Sequence, residues 1–155
     1  MAFFNLLLNL FLGIWLGVMI CFSFITAPTL FREIPREMAG ELISKIFSQY
    51  YLSGYACLGI AFISLVLKGL WSKPFPVLRC LLLALCFGLT VYAGAHLHPK
   101  AHMVKTMIRT LEEGPDKERK QAEFATLHRQ SVLLNGIVLL TVLLVFVLNF
   151  TPLKL

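Results

Sequence analysis

The stretch Val77-Leu78-Arg79-Cys80-Leu81-Leu82-Leu83-Ala84-Leu85-Cys86-Phe87-Gly88-Leu89-Thr90-Val91-Tyr92-Ala93-Gly94-Ala95-His96 decides the fold. It is about as long as a helix must be to cross the roughly 30 Å hydrocarbon core of a bilayer. A barrel strand of similar hydropathy would alternate apolar and polar residues. This stretch does not alternate, because Leu81 to Leu85 is continuous. It therefore reads as a helix buried on all sides, in protein or in lipid.

Three further runs share that character: 6–27, 51–70 and 132–150. Of the 155 residues, 58% are hydrophobic and 14% charged, with a mean hydropathy of +0.80. Soluble domains carry about 25% charged residues. So short a chain has too much surface to hide so much apolar side chain in water. We expect an all-α, polytopic bundle of four transmembrane helices, one transmembrane domain over 1–155. The start, Met1-Ala2-Phe3-Phe4-Asn5, lacks the basic residues of a secretory leader, so the first run is expected to be retained.

The runs are joined unequally. Trp71-Ser72-Lys73-Pro74-Phe75-Pro76 reads as a tight proline turn. The first and third linkers are long and carry helical periodicity. Over 35–50, Met38, Leu42, Ile43, Ile46, Phe47 and Tyr50 oppose Glu37, Glu41, Lys45 and Gln49. Over 100–113, Met103, Val104, Met107, Ile108 and Leu111 form a similar stripe, ending at Gly114-Pro115. A charged helix over 116–130 then leads into the last run. Helices of this kind are expected to lie in the headgroup plane or to cover the bundle end. Each half thus reads span, proline, amphipathic helix, span, the pattern of a duplicated helical hairpin, although the residue identities align poorly.

The net charge of +6 is spread over loops, without the basic cluster interleaved with stacking aromatics that nucleic acid requires. The expected partner is the lipid bilayer, not nucleic acid. Linkers one and three hold ten basic residues: Arg32, Arg36, Lys45, Lys100, Lys105, Arg109, Lys117, Arg119, Lys120 and Arg129. The other side holds four: Lys68, Lys73, Arg79 and Lys154. The positive-inside rule then puts the long linkers in the cytoplasm and both termini outside, with the bacterial inner (plasma) membrane as the expected location. The cysteines Cys21, Cys57, Cys80 and Cys86 have no metal or redox spacing and read as small hydrophobes.

In lipid, helices associate through close packing and interhelical hydrogen bonds. Asn9, Gly13, Gly17 and Cys21 recur every four residues, and Ala84 with Gly88 repeats the spacing. These are the expected packing positions. The Gly13/Gly17 face could serve contacts within one chain or a homo-oligomer.

No Asp or Glu lies in any of the four runs, which argues against an ion-coupled pump. The expected polar cluster gathers at one side: Arg32 and Arg36 after the first run, Tyr92 and His96 at the end of the third, and His128, Ser131 and Asn135 on the fourth. At about 100° per residue, Ser131 lies about 60° and Asn135 about 20° from His128. Three readings stay open. The cluster can be structural glue; it can be a metal or haem site using His96, His98 and His128; or Arg32, Arg36 and Lys100 can hold an anion or headgroup. Pro99 is expected to interrupt the helix that would align His98 with His102. No nucleophile elbow, P-loop or dinucleotide fingerprint occurs, no catalytic residue is indicated, and no cofactor is required.

The residues Ala27-Pro28-Thr29-Leu30-Phe31-Arg32, Pro35-Arg36, Ala39-Gly40, Phe47, Tyr50-Tyr51, Pro99-Lys100 and Phe124-Ala125-Thr126-Leu127-His128-Arg129-Gln130-Ser131-Val132-Leu133-Leu134-Asn135 resemble the transmembrane-protein-205-like family. The resemblance implies a four-helix membrane protein with a domain of unknown function. His96 and His102 depart from it. The function expected from the sequence is non-enzymatic: binding or passing a small ligand, or organising the membrane. The alternative is a haem- or metal-binding redox protein using His128 with His96 or His98.

Overall fold

The computed structural model describes residues 2–71 and 75–150. Met1, Ser72, Lys73, Pro74 and Lys154 lie outside them, so the proline turn is described only at Trp71, Phe75 and Pro76. The described residues form no strand. They build four long helices, each long and apolar enough to cross a membrane: α1 (Ala2–Glu33), α2 (Arg36–Leu70), α3 (Val77–Thr110) and α4 (Pro115–Phe150).

The connections are short. Ile34 is extended (φ −130°, ψ 156°) and Pro35 opens α2; Leu111 is extended (φ −85°, ψ 136°) ahead of Pro115, the first residue of α4. Proline is at home at a helix start, where its missing N–H has no intrahelical role. Glu37 in α2, and Asp116 and Glu118 in α4, oppose the positive helix ends.

Pro28 and Pro99, by contrast, sit inside helices. Each is preceded by a π-turn, Cys21–Thr26 in α1 and Ala93–Leu97 in α3. The Ala27 N–H bonds Phe22 O and the His98 N–H bonds Ala93 O, five residues back. The wider turn makes room for the proline ring against the preceding carbonyls, and the helix continues. The expected break at Pro99 is therefore a bulge. The shared arrangement in α1 and α3 supports the duplicated-hairpin pattern where the residue identities do not.

The amphipathic segments differ from expectation in the same way. Segments 35–50 and 100–113 were expected as interfacial pieces distinct from the spans, and 116–130 as a charged helix leading into the last span. All three are continuous with the spans, as α2, α3 and α4. Nothing between Tyr50 and Tyr51, or between Gln130 and Val132, can stop a helix. Helices of 32–36 residues are about 50 Å long, against about 30 Å of hydrocarbon. All four project their surplus at the same end.

The helices pack in a closed ring, α1 on α2, α2 on α3, α3 on α4 and α4 on α1. The start of α1, the end of α2 and the end of α4 share one end, through Asn5, Lys68 and Asn149. The core takes one stripe from each helix: Leu8, Leu12, Trp15 and Met19; Tyr50, Leu58, Ala61 and Leu65; Leu83 and Cys86; Val138, Val142 and Val145. A second small core, Leu97, Val104 and Leu127 with Phe124, joins the projecting parts of α3 and α4. Outward positions are no more polar than inward ones: Phe24, Leu81, Leu133 and Leu140 are exposed. A soluble bundle would place charges there; a bundle in lipid needs none. The protein is an integral membrane protein.

Candidate functional site

The centre of the ring is polar where it could have been entirely apolar. Tyr50 on α2 donates its hydroxyl to Asn135 Oδ1 on α4 at 2.5 Å, and Asn135 Nδ2 donates to Ser23 Oγ in the π-turn of α1 at 3.2 Å. Three helices are thereby joined by two hydrogen bonds. The Trp15 ring lies 5.0 Å from that of Tyr50. Trp15 is 1% exposed, and its Nε1–H has no hydrogen-bond partner among the described residues. Thr90, also buried, donates to Cys86 O within α3, leaving lone pairs on its hydroxyl oxygen.

These side chains border a cavity of about 10 Å³, lined by Trp15, Tyr50, Thr90, Ala93, Asn135 and Val138 among others. That is room for about one water molecule. Two glycines shape the space. A Cβ on Gly54 would lie 2.6 Å from Trp15 Cη2 and 3.1 Å from Thr90 Cγ2; one on Gly94 would lie 2.6 Å from Tyr51 Cγ. Towards the projecting end, Phe22, Phe47, Tyr50 and Tyr51 pack ring against ring. His98 lies 5.5 Å from Phe47 and 5.8 Å from Tyr51, with Nε2 3.2 Å from Ser44 O. Both π-turns touch the site, one through Ser23 and the other through Ala93.

At the opposite end lies a second polar knot. Lys68 Nζ donates to Asn5 Oδ1 (2.6 Å) and Asn149 Oδ1 (3.1 Å), while Asn149 Nδ2 donates to Asn9 Oδ1 (2.5 Å) and Asn5 Oδ1 (3.2 Å). It ties α1, α2 and α4 together.

Of the expected polar cluster, Asn135 reaches the centre and Ser131 is half-buried above it. Arg32 is exposed and binds its neighbour Glu33 at 2.8 Å; Arg36 is exposed at the start of α2. Tyr92 and His96 stack on each other on the outside of α3, rings 5.7 Å apart. His128 stacks on Phe124 and faces outward. The one-face argument fails at His128 because the neighbours of α4 change along its length. Near residue 128 it packs on α3 through Leu127, and lower down it faces the whole ring. His96, His98 and His128 thus each have a different ring neighbour. Among the described residues no three His, Cys, Asp or Glu side chains are grouped to hold a metal ion.

The small-residue stripe also divides. Asn9 joins the polar knot, and a Cβ on Gly13 would lie 3.8 Å from Phe146. Gly17 and Cys21 face outward, as do Ala84 and Gly88, and Gly17 and Gly88 have open space around them. Positions four apart turn about 40° per step, so Asn9 and Cys21 lie about 120° apart and cannot share a face. The tightest approaches fall instead at Gly40, Gly54, Gly69 and Gly94. The sequence reading missed Trp15, Ser23 and Thr90 as site residues and took Tyr50 for an apolar face. The available signal was a hydrogen-bonding atom inside an apolar run.

The site offers hydrogen-bond donors and acceptors, with no carboxylate and no grouped metal ligands among its lining residues. As it stands it has room for about one water molecule.

No solved structure matches this chain. An uncharacterized protein of Aquifex aeolicus (strain VF5) is 40% identical over 50 residues, which is 32% of this chain and 38% of that protein. The chain therefore matches less than two-fifths of that relative's length. The family DUF4149, described as a domain of unknown function, matches residues 10–110, a region that supplies Trp15, Ser23, Tyr50 and Thr90 and leaves Asn135 to α4. With well over half its length matched, the chain belongs to the DUF4149 family.

Proposed function

We propose that the protein is a non-enzymatic, single-domain membrane protein that binds or passes a small uncharged polar ligand at the centre of its four helices. One observation carries this reading: the buried Trp15 N–H has no partner and borders a cavity rimmed by Tyr50, Thr90 and Asn135. A buried donor left unpaired costs about 1–3 kcal/mol, which a hydrogen-bonding guest recovers. The π-turns, of a kind often found at functional sites, hold Ser23 and Ala93 beside the cavity, and the reading places its widening there.

The test uses glycerol and urea as probes. Proteoliposomes of the full chain are to be compared with empty vesicles and with the double variant Trp15→Phe/Asn135→Leu. The reading expects solute entry above that of empty vesicles and its loss in the variant, or a shift of Trp15 emission on adding either probe to Trp71→Phe protein. If neither probe gives entry or a spectral shift, the ligand reading fails. The cluster is then interhelical glue, a reading favoured by the fact that both the Tyr50–Asn135 and Asn135–Ser23 bonds cross between helices.

The redox alternative draws no support from the geometry, since His96, His98 and His128 are engaged with different neighbours. The Phe124–Asn135 motif supports the finer resemblance to the transmembrane-protein-205-like family, and the basic bias supports cytoplasmic projecting ends with both termini outside a bacterial inner membrane. The open space at Gly17 leaves room for a second copy on that face.

A further inference from the structure

Beyond the spans, the projecting parts of α2 and α3 leave a groove of about 230 Å³ between them, lined by Glu41, Lys45, His102, Lys105, Thr106 and Arg109 among others. Counting about 1.5 Å per residue from 51 back to 45 and from 96 to 105, Lys45 and Lys105 lie about 9–14 Å past the ends of the spans. Long lysine side chains there reach the headgroup layer. Two of the three cations are already shared with acids: Arg109 Nε lies 3.3 Å from Glu37 and its Nη2 3.6 Å from Glu41, and Lys45 lies 3.7 Å from Glu41. Lys105 differs. Its side chain lies over Gly40, with Nζ the nearest atom to where a Cβ on that glycine would be. It is half-buried and makes no hydrogen bond or ion pair among the described residues. Burial, and after it the neighbouring Arg109, hold its pKa below the usual lysine value, against the opposite pull of Glu41 and Glu37. An ammonium partly stripped of water, with Glu41 and Glu37 near but in direct contact with neither, is incompletely compensated, and an anion in the groove supplies the missing direct partner.

We propose that this groove is a phosphate-binding site centred on Lys105, with Arg109, Lys45 and His102 at its edge. The volume admits a phosphate group with a small substituent, and three cations against Glu41 in the lining and Glu37 beside Arg109 leave the groove with a net positive balance. The phosphate is carried by an anionic lipid headgroup or by a phosphorylated solute, and the two sources are separable.

The full chain is purified as wild type, Lys105→Ala, Lys105→Gln and Arg119→Ala, the last an exposed cation paired with Asp116 away from the groove. In the lipid arm, each protein is reconstituted in vesicles of equal phosphatidylglycerol and phosphatidylcholine, and retained lipid is read by native mass spectrometry. In the solute arm, the thermal midpoint in lipid-free detergent is followed against inorganic phosphate, with chloride at matched ionic strength. We expect preferential phosphatidylglycerol retention, reduced roughly tenfold in both Lys105 variants, a factor equal to about 1.4 kcal/mol, and unchanged in Arg119→Ala. A phosphate-specific midpoint rise, absent in both Lys105 variants, supports the site with a soluble source instead. The proposal is overturned if the Lys105 variants match wild type in both arms, if Arg119→Ala loses as much, or if only Lys105→Ala loses, since Lys105→Gln keeps most of the stem and removes only the charge.

Discussion

A methyl group on Gly54 would meet the Trp15 ring at 2.6 and 2.8 Å, so the indole rests directly on the α2 backbone. That contact fixes Trp15 against Tyr50 and sets the width of the cavity. Gly54→Val should force Trp15 aside and cost about 1–3 kcal/mol, as overpacking does in tight cores. The checks are the thermal midpoint in detergent and the Trp15 emission of Trp71→Phe protein; an unmoved midpoint would mean the contact is slack. Asn135→Leu removes the two bonds that join α4 to α2 and α1 at the centre of the ring, at about 1 kcal/mol for each. His128→Ala should stay within about 0.5 kcal/mol, because His128 is exposed. Equal losses in the two would restore His128 to the interior. Asn135 was legible in the sequence because an amide in an apolar run must find a partner. Its partners Tyr50 and Ser23 were not, since they lie 85 and 112 residues away and only the ring closure brings them together.

At the scale of the element, hydropathy marked where each helix is apolar but not where it ends. Of the apolar stripes expected over 35–50 and 100–113, Ile43, Tyr50 and Val104 are buried, whereas Met38, Leu42, Met103 and Met107 are exposed. The error lay in reading a change of composition as a change of element, when only a backbone event ends a helix. Two such events, Pro28 and Pro99, are absorbed by π-turns. A π-turn amounts to one extra residue in an α-helix, so its removal has a definite consequence. Deleting the exposed Ala95 together with Pro99→Ala should close α3 into a regular helix while keeping Leu97 and Val104 facing inward. Deleting Leu85 alone should rotate every later residue by about 100° and abolish folding. Expression and gel filtration of the two deletions check this, and equal tolerance of both would mean that the π-turn does not set the register.

For the whole molecule, the fold class was legible almost completely, because four apolar runs of about 20 residues without a carboxylate leave few alternatives. The site was legible only in part. Its location depends on which face each helix turns inward, and in lipid the outward face is as apolar as the inward one, so the amphipathic signal that orients soluble helices is missing. The charged projecting ends restore that signal: Arg109 meets Glu37 and Glu41, and Lys100 lies 4.0 Å from Glu123. These exposed pairs are worth little in stability, but they mark the faces that the surplus helix lengths turn to one another at one end of the bundle.

Single-cysteine labelling tests that arrangement most directly, in a background where Cys21, Cys57, Cys80 and Cys86 are replaced. Gly114→Cys lies between α3 and α4 at the projecting end, and Ser72→Cys lies between α2 and α3. With a membrane-impermeant maleimide, intact cells should label Ser72→Cys, and Gly114→Cys should react only after the membrane is opened. Labelling of both positions from the same side, or recovery of the protein in the aqueous fraction without detergent, would contradict the four-crossing bundle.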